Sequence, residues 1–210
     1  MTAAAFATAW FVHLLAAASP GPSILMAART GVTEGFRTAV WLCLGLAVGA
    51  IVLALAALFG LALLFAAAPA LLWAFKIAGG AFLVWIGWKM WRNADTALPD
   101  VAGRPGAAGA KVPRSRAAAF RLGLVTQLAN PKPAVFFGAV FVTTVPPGTS
   151  AGWLVLLLAA IFANEFLCTL AVARAFSMDA ARRFYARAKR AIDRVFGGAL
   201  ALLGVRIAVG

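Results

Sequence analysis

The sequence predicts an all-α integral membrane protein: six transmembrane helices forming two inverted three-helix repeats, with helices 1 and 4 broken. Three observations predict it. Of the 210 residues, 64% are hydrophobic and 12% charged, with a mean hydropathy of +0.95, which leaves too little polar surface to cover a soluble globule. The apolar residues gather into about six stretches, and a helix needs about 20 such residues to cross a bilayer. Two of these stretches are interrupted by paired prolines, Ser19-Pro20-Gly21-Pro22 and Asn130-Pro131-Lys132-Pro133. A proline removes a backbone donor and clashes with the preceding turn, so each pair is expected to break or unwind its helix.

In chain order, the first segment runs from about Ala3 to Ala28, with His13 inside it and the first break near its end. A short polar stretch, Arg29 to Arg37, leads to a second segment, Val40 to Ala68, longer than a bilayer requires. Pro69 ends it. The third spans Ala70 to Trp91, with Lys76 near one end and Trp85, Trp88 and Trp91 towards the other, where tryptophans suit a membrane interface. Residues 93–116 are rich in Ala, Gly and Pro and read as a flexible cytoplasmic linker. The fourth segment, Ala117 to Val145, holds the second break; Pro146-Pro147-Gly148 turns the chain into the fifth, Trp153 to Phe176. A basic stretch, Arg174 to Arg194, precedes a short last segment, Val195 to Val209.

The formal charge of +13 lies in short connections between apolar runs, so it reads as a topology signal and excludes a nucleic-acid partner. The connections around residues 89–121 and 174–194 carry most of the Lys and Arg and belong in the cytoplasm, whereas the turns at Pro69 and Pro146-Pro147 are uncharged and belong outside. Six crossings then put both termini outside. The run Arg182 to Arg190 reads as an interfacial helix that holds anionic membrane lipid.

Pro20 to Pro131 and Pro22 to Pro133 are both separations of 111 residues, and Lys76 with Gly79-Gly80-Ala81 resembles Arg194 with Gly197-Gly198-Ala199. This divides the chain into a first repeat, 1–92, the linker, 93–116, and a second repeat, 117–210. Because each repeat crosses three times, the second is inserted upside down. Broken backbone within lipid is tolerated only where it is buried in protein or lines a wet cavity, and paired breaks in two halves point to a transporter's binding site.

Here the chain resembles the lysine-exporter and homoserine/threonine-exporter (LysE/RhtB) family of bacterial amino-acid efflux proteins. The resemblance is carried by Pro20-Gly21-Pro22, by Gly31, Gly35, Gly45 and Gly49, by Lys76, Gly80, Leu83 and Gly87, and by Gly123 followed by Asn130-Pro131-Lys132 and Phe136-Phe137. It implies export of an amino acid or similar small metabolite across the cell inner membrane, driven by exchange with protons, and it leaves the substrate open.

The expected substrate-binding residues are Ser19, Pro20, Gly21, Pro22, Asn130, Pro131, Lys132 and Glu165. Lys132 lies between two prolines and is suited to a carboxylate; snorkelling to lipid phosphate is its other reading. Glu165 is the one acid deep in an apolar segment; it suits a substrate ammonium or the coupled proton, or else a structural pair with Lys132 or Lys76. A lone histidine such as His13 is expected to pack. Gly45 and Gly49 have the spacing that brings helices close, first within the bundle and second at a homodimer seam. Asn130 and Ser19 are suited to capping freed backbone.

No catalytic constellation, metal ligand set or cofactor motif is present in the sequence, so binding and not bond-making is the expected chemistry. Two alternatives come from other classes: a membrane thiol-redox carrier using Cys43 and Cys168, although neither break contains a cysteine, and a structural subunit whose broken helices only pack.

Overall fold

The computed structural model describes residues 1–19, 21–67, 71–96, 113–177 and 179–209. Among them are eight helices: α1 (Ala3–Ala18), α2 (Pro22–Thr33), α3 (Phe36–Ala67), α4 (Leu71–Arg92), α5 (Arg116–Leu128), α6 (Pro131–Thr144), α7 (Ala151–Phe176) and α8 (Asp179–Val209). The first and fourth apolar segments are each two helices joined at the paired prolines. α1 and α2 meet at a bend of 52°.

The prolines break both segments, and they do so by starting a helix. Pro22 is the first residue of α2, after the cap Gly21, and Pro131 is the first of α6, after the cap Asn130. They start the second helix of each pair instead of lying in unwound backbone. First-turn N–H groups have no helical partner in any case, and proline's fixed φ already suits a helix, so nothing is lost by placing it there. Lys132 is therefore helical. The Asn130 side chain accepts from its backbone N–H at 3.1 Å and caps α6.

Two further boundaries are corrected. The expected polar stretch from Arg29 is helical through Thr33, and Gly35, at φ +86°, makes the turn into α3; no glycine or proline before it presents a left-handed or donor-free position after Gly31. The basic stretch and the short last segment are one helix, α8: no proline stands between Asp179 and Val209, and Gly197 and Gly204 within it are packed against the α4 backbone. Its basic residues are also not all turned to lipid. Lys189 donates to Asp193 at 2.6 Å and to the Asn93 carbonyl at 3.0 Å, and Arg190 and Arg194 pair with Asp95 at 2.8 and 3.1 Å.

α3, over Phe36–Gly60, and α7 are long and apolar enough to cross a membrane, and α1 with α2 makes a third candidate if the bent pair is one span. Residues 68–70 around Pro69, and 97–112 of the linker, lie outside the described residues. The linker's described ends are held: Asn93 by Lys189, and Arg114 by Glu34, whose carboxylate accepts its backbone N–H at 2.9 Å and its guanidinium. Arg116 already belongs to α5.

Small residues set the closest helix approaches. A Cβ on Gly45 would run into the Phe120 carbonyl, one on Gly123 into the Leu42 carbonyl, and one on Gly49 would meet Gln127 Cβ at 2.7 Å. α3 and α5 thus pack backbone to backbone, and the Gly45/Gly49 spacing serves the bundle. α4 and α8 cross likewise, with Gly80 against Gly204 and Gly87 against Gly197, a register that makes them antiparallel. α1 packs on α6 and α2 on α5, while α7 lies against α1, α2 and α3.

Two apolar clusters result. Val12 and Ala16 of α1 join Phe136, Phe137, Phe141, Leu157 and Ile161 in the larger. Ala27 of α2 joins Leu42, Cys43, Leu46, Ala119 and Ala173 in the other. The α1/α2 break falls between them.

Candidate functional site

The two breaks and α7 line a small cavity. Its wall includes Ser19, Gly21, Ser23, Gln127, Lys132 and Glu165. Its volume is about 20 Å³, where about 10–15 Å³ suffices for one water. The site has room for water and is too small for an amino acid.

Each break reaches across to the other. The Lys132 ammonium, from the first turn of α6, donates to the Ala16 carbonyl at 2.9 Å, the Ser19 carbonyl at 3.2 Å and Ser19 Oγ at 2.6 Å. These acceptors are the end of α1, the negative end of its dipole, where the Ala16 carbonyl also accepts the Ser19 backbone N–H at 3.2 Å. In the other direction Ser23, from the first turn of α2, donates through Oγ to Gln127 Oε1 in the last turn of α5, and Asn130 Nδ2 donates to Ser23 Oγ at 3.2 Å. The start of each second helix is thus tied to the end of the opposite first helix.

Glu165 is buried on α7, close enough to Lys132 to interact electrostatically and within hydrogen-bonding reach of Gln127. The lysine's three protons go to α1. Lys132 and Glu165 share the cavity without an ion pair among the described contacts. Beside Glu165, Asn164 donates to the Trp10 carbonyl at 3.0 Å and lies 3.4 Å from His13 Nδ1. His13 is packed as expected, stacked on Phe137 with centroids 5.4 Å apart, and also lines the cavity.

Of the expected site residues, the structure brings Ser19, Gly21, Asn130, Lys132 and Glu165 to one wall. Pro22 starts α2 and is not part of it; the proline that lines the cavity is Pro133. Pro20, and the side chains of Pro131 and Lys76, lie outside the described residues. Sequence reasoning missed Ser23 and Gln127. Their signal was present: Gln127 is a lone amide in an apolar helix one turn before Asn130, and Ser23 follows Ser19 by one turn. Cys43 and Cys168 are both free, and neither lines the cavity.

A membrane bundle with two interrupted helices, whose broken ends converge with a lysine and a glutamate on a shared cavity, has the build of a transporter. The comparisons with known proteins agree: the family model described as LysE type translocator matches residues 14–210. The chain belongs to that family of membrane transporters and is not an enzyme. It is 35% identical over 210 residues to the threonine efflux protein of Escherichia coli K12, covering 97% of each chain. It is 34% identical, again over 97% of each, to the threonine efflux protein of Salmonella typhi, and 27% identical over 205 residues to that organism's homoserine/homoserine lactone efflux protein, covering 95% of each. No solved structure matches the chain.

Proposed function

We propose that this protein is a secondary active exporter of amino acids, small and hydroxylated ones first, across the bacterial inner membrane. Coupling is to protons, and access alternates about the two broken helices. The observation that carries the reading is the cavity at the breaks, with Lys132 and Glu165 on its wall. Its location in a family whose relatives include threonine and homoserine efflux proteins supplies the substrate class.

Lys132 and the first amides of α2, which precede the first helical bond from Leu25 N to the Gly21 carbonyl at 2.9 Å, hold the carboxylate. Glu165 holds the ammonium or the exchanged proton. The site lies near the bilayer midplane, and both termini lie outside.

An inverted repeat is supported by exchanged contacts. α1 on α6 is mirrored by α2 on α5. On this reading units 1–92 and 117–210 rock against each other, and the 20 Å³ cavity opens by parting the ties between them. Membrane lipid on the basic run Arg182 to Arg190, and a homodimer, belong to the same proposal.

The test is release of threonine from cells loaded with threonine dipeptides. Cells making the wild type should release it several-fold faster than empty cells, and cells making Glu165→Gln should not. Equal release from wild-type and empty cells across the amino acids would overturn the reading.

A further inference from the structure

We infer that the C-terminal end of α1 is the substrate's ammonium subsite, and that Lys132 is its built-in occupant when no substrate is present. This rests on the exporter reading for the identity of the substrate, and it reassigns the ammonium from Glu165 to α1.

The acceptors themselves define the subsite. The Ala16 carbonyl, the Ser19 carbonyl and Ser19 Oγ converge on one primary ammonium at 2.9, 3.2 and 2.6 Å, one acceptor for each of its three protons. Ser19 Oγ donates its own proton to the Ala16 carbonyl at 2.7 Å, which leaves its lone pairs turned to the cation. Ser19 is fully buried, and Ala16, Ser19 and Lys132 all line the cavity. A substrate ammonium needs the same three acceptors and reaches them from the cavity.

The opposite helix end stands a few residues further on. The first amides of α2 are electropositive where the last carbonyls of α1 are electronegative, so the break presents a donor set beside an acceptor set, matched to a zwitterion. The lysine's head lies against the break, where a Cβ on Gly21 would meet Lys132 Nζ in ordinary contact at 3.4 Å. The lysine leaves α1 when a carboxylate arrives for it to pair with, and the substrate ammonium takes the vacated acceptors. An amine without a carboxylate has nothing to draw the lysine away, and a carboxylate without an amine leaves the acceptors empty. The device thereby selects molecules that carry both groups.

The experiment is thermal unfolding of the purified full-length protein in detergent, wild type and Lys132→Ala, titrated with ethylammonium chloride and, at equal ionic strength, tetramethylammonium chloride, which has no N–H donor. Lys132→Ala should melt below the wild type and rise saturably by about 2–4 °C with ethylammonium only; the wild type should respond to neither. If Lys132→Ala is not recovered, Lys132→Met, which keeps most of the stem without the charge, goes through the same titration. In binding, wild type should prefer threonine over threoninol by at least tenfold, and the alanine variant, which keeps only the α2 amides for the carboxylate, should lower that ratio several-fold. A folded variant that responds equally to both cations, or to neither, would sink the inference. The titration needs no transport, so a failed titration with threonine export intact removes the subsite alone, whereas failed export with a positive titration removes the exporter reading and leaves the subsite.

Discussion

Lys132 draws its position from two elements at once: Asn130 fixes its backbone at the start of α6, and Ala16 and Ser19 hold its ammonium at the end of α1. Replacing Asn130 with Ala removes the α6 cap and the bond to Ser23 together. A lost cap costs about 1 kcal/mol and a lost buried partner about 1–3, so Asn130→Ala should unfold several degrees earlier in a detergent melt, with Asn130→Asp keeping the cap and part of the loss. Gln127→Leu should leave the Ser23 hydroxyl without its acceptor on α5 and slow threonine release several-fold in loaded cells. Cys43→Ser with Cys168→Ser should leave release within about twofold of wild type, since neither thiol faces the cavity; abolished release would revive a thiol mechanism.

At the scale of elements, α3 and α5 meet where both lack side chains. Gly123→Leu forces four carbons against the Leu42 carbonyl and the Leu46 amide, and overpacking of this kind costs about 1–3 kcal/mol. It should lower the melting temperature and the yield of membrane-inserted protein, whereas Gly60→Ala, with nothing within 4 Å of the new Cβ, should be neutral or slightly stabilising because alanine suits a helix better. If the two melted alike, the close crossing would not be limiting. Likewise α8 is one helix over its basic and apolar halves, held to the end of α4 by Lys189 and Asp95 and not by lipid alone.

For the whole molecule, the positive charges predict which side each turn faces. With both native cysteines replaced, a cysteine at Thr149 should react with a membrane-impermeant maleimide in intact cells, and one at Thr96 only after permeabilisation. The reverse pattern would invert the proposed orientation; equal labelling would remove the odd number of crossings between them.

Much of this protein was legible in its residues one at a time. Apolar run length gave the helical membrane class, because backbone in lipid must bond within its own segment. The paired prolines marked both breaks, since the missing donor and fixed φ are local properties. Lys132 and Glu165 stood out because charge is rare in such helices. What those residues touch was decided elsewhere. That Lys132 reaches back 116 positions to Ala16, and Ser23 forward 104 to Gln127, follows from how α1, α2, α5 and α6 cross, and no local propensity encodes a crossing. The sequence by itself determined most of the helices and where two of them break; only the packing of glycine against backbone, which sets how near the helices come, decided that the broken ends would grip one another around a shared cavity.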